Sequence, residues 1–118
     1  MNKPGWIGVD LDGTLAYYDE WDDIDCIGAP IPAMVQRVKD WLAKGFTVKI
    51  FTARVAFPSD RDFIETQTRK IQDWCEKYIG QKLDVTCVKD SAMLELWDDR
   101  CVRVLINTGR PLPGDPHI

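Results

Sequence analysis

Trp6-Ile7-Gly8-Val9-Asp10-Leu11-Asp12-Gly13-Thr14-Leu15 is the stretch whose reading decides the fold. A short apolar run ends in two acids one residue apart, followed by Gly-Thr. Side chains alternate faces along a strand, so Asp10 and Asp12 would share a face if the strand continued. Gly13 ends it, since glycine takes backbone conformations that other residues avoid, and the carboxylates fall where strand gives way to loop. Two carboxylates held this close need a cation, a shared proton or an outward face. The first two are chemistry.

Working outward, Ala16 to Pro32 is rich in acids and aromatics, shows no clear period and ends in Gly28-Ala-Pro30-Ile-Pro32. It reads as a long loop with room for a short hairpin, its acid run a solvated surface. From Ile31 to Lys44 the apolar residues Ile31, Met34, Val35, Val38, Trp41 and Leu42 keep helical spacing, with Lys44-Gly45 as the stop. Phe46 to Thr52 is a nearly apolar, β-rich second strand, followed by a loop over Ala53 to Pro58. Ser59 can cap the next helix, whose first turn holds acids and whose apolar spacing runs to Gly80. Leu83 to Val88, Ala92 to Trp97 and Val102 to Ile106 read as three further strands. The tail from Thr108 to Ile118 carries too much Pro and Gly for regular structure.

Strand, helix, strand, helix, strand and two more short strands is the order of a doubly wound α/β domain. The expected fold is a Rossmann-like, mainly parallel sheet of about five strands with helices on both faces, one domain over residues 1–118. Such sheets bind ligands at the carboxyl ends of their strands. Asp10 and Asp12 end the first strand, Thr52 the second and Asp98-Asp99 the fourth, while Lys89 follows the third. One edge of the sheet collects the polar groups.

Bulk properties narrow the function. At 118 residues and 45% hydrophobic content, the chain suits one folded domain. A net charge of −4 argues against gripping nucleic acid by bulk electrostatics, though not against a local basic patch. Cys26, Cys75, Cys87 and Cys101 form no CxxC pair and the one histidine is His117, which argues against zinc. Three of the four cysteines sit in apolar contexts and read as buried, reduced thiols. No apolar run is long enough to span a membrane and no hydrophobic signal core opens the chain, so the expected setting is cytoplasmic.

Four acids converging on one sheet edge repel one another unless a cation is bound, and an all-oxygen site left open to water and phosphate suits Mg²⁺. A phosphorylated substrate follows, because the metal, Lys89 and the Thr52 hydroxyl would neutralise its oxygens. Asp10 can attack phosphorus to give an aspartyl-phosphate. Asp12 can protonate the leaving alkoxide and then deprotonate the hydrolytic water.

Asp10-Leu-Asp12-Gly-Thr14, an apolar strand ending in Thr52, Lys89, and an apolar strand ending in Asp98-Asp99 together resemble the four motifs of the haloacid dehalogenase superfamily. The resemblance covers Trp6 to Ile106. It implies a nucleophile at Asp10, a general acid/base at Asp12 and phosphate binding by Thr52 and Lys89. It also implies Mg²⁺ held by Asp10, the Asp12 carbonyl and the Asp98-Asp99 pair. Dehalogenating members generally lack the second acid and ion pumps carry Thr there, so Asp12 favours a phosphatase. Two departures stand out. The segment between Lys89 and Asp98 is too short for the usual helix, and no cap domain is inserted. A capless site suits a bulky or macromolecular phosphoester, or closure by another subunit of a homo-oligomer.

Arg54, just beyond Thr52, is a further candidate substrate contact. Thr68-Arg69-Lys70 through Trp74 to Val85-Thr-Cys87 is similar in layout to the phosphatase domain of phage polynucleotide kinase. That likeness suggests a nucleic-acid 3′-phosphate end as an alternative substrate, with Arg54, Arg61 and Arg69 on its backbone. The rival class is a non-catalytic or phospho-receiver-like binding module. In receivers, however, the phosphorylated acid ends the third strand, and here that strand reaches Lys89 without one.

Overall fold

The computed structural model describes residues 3–19, 26–56 and 60–113. Strand β1 (Trp6–Val9) is buried along its whole length and lies inside the sheet. Strand β2 (Thr47–Phe51) pairs with it on one side and β4 (Met93–Trp97) on the other, while β3 (Asp84–Thr86) lies outside β2. The order is β3-β2-β1-β4 and every pairing is parallel. Parallel neighbours need crossovers, supplied by α1 (Pro32–Ala43) and α2 (Arg61–Tyr78). This is a Rossmann-like α/β arrangement.

Each helix stops and starts for a local reason. Pro32 occupies the first turn of α1, where its missing N–H has no intrahelical partner to lose. Gly45, with φ of 89°, ends that turn, and the Phe46 N–H donates to the Trp41 carbonyl. Asp60 caps α2 by accepting from the Phe63 N–H at 2.9 Å. The expected cap, Ser59, lies outside the described residues, as does the acid run from Glu20 to Asp25.

The register shows which face forms the core. Ile7 sits opposite Val48, Val9 opposite both Ile50 and Trp97, and Ile50 opposite Val85. Met34, Val35 and Val38 of α1 and Ile71, Trp74 and Cys75 of α2 pack against that same set. Trp41 of α1 meets Trp97 edge-on at 5.2 Å. Both helices therefore cover one face, which corrects the expectation of helices on both. The reason is topological: β1, β2 and β3 advance in one direction, and right-handed crossovers made in one direction land on one side. The return from β3 to β4 is the step that would reach the other face, and residues 87–92 are too few for a helix.

The opposite face is closed by its own side chains. Gly8 leaves room there, since a Cβ would meet the Trp6 ring at 3.0 Å and Leu96 at 3.2 Å. Lys49 Nζ stands 4.7 Å above the Trp6 ring, whose Nε1 donates to Asp90 Oδ1 at 2.9 Å.

Two further expectations are corrected. Val102 to Ile106 is no fifth strand: the described sheet has four, and these residues are exposed. Asn107 and Gly109, with φ of 65° and 72°, turn the chain back on itself. Leu105 N–H then bonds the Arg110 carbonyl and Leu112 N–H the Arg103 carbonyl, making a small hairpin apart from the sheet. Among the cysteines, all free, only Cys75 is buried; Cys26 and Cys101 are exposed. No described helix is long and apolar enough to cross a membrane.

Ile50 is fully buried and Ile106 is 86% exposed. Ile50→Ala is expected to cost about 2–5 kcal/mol in urea unfolding, whereas Ile106→Ala should stay within about 0.5 kcal/mol. Equal costs would contradict this placement of the core.

Candidate functional site

The carboxyl ends of β1, β2 and β4 deliver the polar side chains to one edge. Asp10 follows β1, its N–H donating to the Trp97 carbonyl at 2.8 Å. The chain then tightens around the Leu11 carbonyl, which accepts from the N–H groups of Thr14, Leu15 and Ala16. Gly13 sits in this turn with φ of 90°, and a Cβ there would lie 2.7 Å from Asp99 Oδ2. Glycine is thus required twice, by the backbone and by the neighbouring acid.

Asp10, Asp98 and Asp99 each offer a carboxylate oxygen within 4.8 Å of the others. Thr14 Oγ1 lies between them, 3.4 Å from Asp10 Oδ2 and 3.3 Å from Asp99 Oδ1, and accepts from the Asp99 N–H at 3.1 Å. A hydroxyl has one proton, so it relieves only one of these acids at a time. Burial first, then the charge of Asp98, then the hydrogen bond and charge of Asp99, push Asp10 from the usual 3.8 up to about 7. The set is short of positive charge. Three clustered carboxylates fit a hard divalent cation that takes oxygen ligands, such as Mg²⁺.

Asp12 does not join that cluster through its carboxylate. Arg54 grips it with two hydrogen bonds, Nε to Oδ2 at 2.7 Å and Nη2 to Oδ1 at 2.8 Å. Nη2 also donates to the Cys26 carbonyl at 2.9 Å, which ties the fork to the loop after β1. Arg54 is positioned by Thr52: the buried Thr52 hydroxyl accepts from the Arg54 N–H at 3.1 Å and opens a short 3-10 turn, Ala53–Val55. The alternation of strand residues thus became a division of labour, with Asp10 facing the acids and Asp12 the guanidinium.

These residues surround a cavity of about 790 Å³ lined by Asp10, Asp12, Thr52, Arg54, Asp98 and Asp99. Tyr18, Phe51, Cys87 and Arg100 complete much of the remaining wall. Six of the seven residues expected from sequence therefore meet in one place. The seventh, Lys89, is exposed and lines no part of the cavity. Beyond β3 the Val88 N–H turns back to Thr86 Oγ1 at 3.0 Å, and Cys87 takes the place at the rim, its thiol 3.8 Å from the Val55 carbonyl. Sequence reading gave no role to Thr14 or Arg100. The signal was there for both, since Thr14 belongs to the quoted motif and Arg100 adjoins the second acid pair.

No protein-family model matches the chain, and no curated protein sequence does so either. Among solved structures it is similar to a conserved protein from Bacteroides thetaiotaomicron, with a TM-score of 0.56 and 19% identity. The match covers 85% of this chain and 79% of that one, and it supports the fold.

The raised Asp10 carboxyl makes stability depend on pH. In metal-free buffer the unfolded chain loses this proton near pH 4 and the folded chain keeps it to about pH 7. Stability from this group therefore falls between those values and levels off above them. Asp10→Asn should remove that fall, and Mg²⁺ should raise the melting temperature more at pH 8 than at pH 5. Thermal melts at both pH values check this; equal gains from Mg²⁺ would contradict the proposed coupling.

Proposed function

We propose that this chain is a Mg²⁺-dependent phosphatase, a phosphoric monoester hydrolase of the haloacid dehalogenase type working through an aspartyl-phosphate on Asp10. The observation that carries the reading is the meeting of Asp10, Asp98 and Asp99 within 4.8 Å in a cavity that also holds Asp12 and Thr52. Their order along the chain matches the four-motif pattern read from the sequence, Lys89 excepted. The absence of an acid at the end of β3 speaks against a phospho-receiver.

In this reading Asp10, Asp98 and Asp99 would hold a Mg²⁺ ion, which would supply positive charge against the substrate's phosphoryl oxygens. Asp10 must be ionised to attack, and a cation beside it favours that form. Its carboxylate oxygen bonds to phosphorus as the phosphorus–alkoxide bond breaks, and Asp12, entering the cycle protonated with one oxygen released from the Arg54 fork, gives that proton to the leaving oxygen. Asp12 then takes a proton from water as that water attacks phosphorus, the bond to Asp10 breaks, and inorganic phosphate departs. Arg54 is a positioning residue here, because its two hydrogen bonds fix the orientation of the Asp12 carboxylate. Thr52 has a hydroxyl proton available for a phosphate oxygen, its acceptor side being used by Arg54.

With Mg²⁺ the protein should hydrolyse a generic aryl phosphate. Asp10→Asn should abolish turnover, and Asp12→Asn should lower kcat by about 10²–10⁴. Turnover in Asp10→Asn equal to that of the natural chain would sink the covalent mechanism. Tight binding of phospho-ligands with no hydrolysis of any phosphoester would favour the binding module.

A further inference from the structure

The charge balance of the cavity is incomplete. Four carboxylates line it, and among the described residues only two basic side chains do, Arg54 and Arg100. Arg54 is taken by Asp12 through both ends of its fork and by the Cys26 carbonyl. A divalent cation at the acid cluster would offset part of the remainder, and a dianionic phosphoryl group would then add to the deficit. A second cation at the wall is what such a ligand needs, since hydrogen bonds between guanidinium and phosphate are both charge-assisted and planar in geometry. Lys89 is not there to provide it.

Arg100 is. It lines the cavity directly after the acid pair, and its backbone N–H donates to Asp98 Oδ1 at 2.8 Å, which fixes the turn that carries it. Its guanidinium makes no hydrogen bond or ion pair with the described residues. Arg100 is exposed at the edge of the cavity, so its guanidinium is open to a ligand that enters from solvent. We infer that Arg100 is the cavity's phosphate-binding cation, receiving phosphoryl oxygens of the substrate in the same cavity that holds the acid cluster. This rests on the phosphatase reading for its substrate, while the binding chemistry it names can be measured without turnover.

The experiment compares the natural chain with Arg100→Ala and Arg100→Lys, in Mg²⁺, by two readouts. One is steady-state hydrolysis of an aryl phosphate, separated into KM and kcat. The other is calorimetric affinity for inorganic phosphate. Arg100→Ala should raise KM and weaken phosphate binding about tenfold to a hundredfold. Arg100→Lys should recover part of both, and far-UV circular dichroism and the melting temperature should match the natural chain. Turnover by the natural chain with unchanged KM and phosphate affinity in Arg100→Ala would overturn this inference and leave the phosphatase standing. Phosphate binding lost in Arg100→Ala, with no hydrolysis by the natural chain, would uphold Arg100 and overturn the phosphatase. A natural chain that neither binds phosphate nor turns over would overturn both.

Discussion

Three carboxylates meeting within 4.8 Å at the end of a parallel sheet repel each other, at about 1–3 kcal/mol per pair between water-like and surface-like dielectrics. The chain accepts that repulsion because everything around the cluster is arranged to hold it. Val9 delivers Asp10 from a fully buried strand, and the Trp97 carbonyl holds the Asp10 N–H from the neighbouring strand. Gly13 gives the turn the space Asp99 occupies, and Thr14 stands between the two acids. The raised Asp10 carboxyl is the symptom of that constraint, and a divalent cation held by the three acids would relieve it.

A second charged unit lies beside the first and behaves differently. Asp12 and Arg54 form a two-point pair, anchored on one side by the Thr52 hydroxyl and on the other by the Cys26 carbonyl. The pair links the ends of β1 and β2 with the loop that follows β1. It gives the cavity one acid that is neutralised by a partner and three that are not. In the proposed mechanism the unneutralised group binds metal and supplies the nucleophile, while Asp12 acts as proton donor only in its protonated form, which gives up one bond of the Arg54 fork.

Much of this was legible in the sequence, for reasons that are local. Trp6–Val9 and Thr47–Phe51 are apolar runs bounded by a glycine and by polar residues, and the helices keep their spacing over three or more turns. Asp10, Asp12, Thr52, Asp98 and Asp99 were placed by the rule that parallel strands present their carboxyl ends together. The misreadings arose where the outcome depended on distant partners. Val102 to Ile106 has the composition of a strand, but the turn at Asn107 and Gly109 pairs it with its own tail. The single helical layer follows from strand order, which periodicity does not carry. Lys89 fits a motif by position along the chain, yet the turn after Thr86 brings Cys87 to the rim instead. The Arg54 pairing was equally hidden, since nothing in the sequence relates residue 54 to residue 12.

The proposed mechanism stands on covalent phosphorylation of Asp10. Acid quenching during turnover, followed by borohydride reduction and peptide mass spectrometry, tests it directly, because reduction converts an aspartyl-phosphate to homoserine. Homoserine is expected at position 10 and at no other acid of the cavity, in samples quenched with substrate and Mg²⁺ present. Sustained hydrolysis with Asp10 unmodified, or with the label at Asp98 or Asp99, would contradict it.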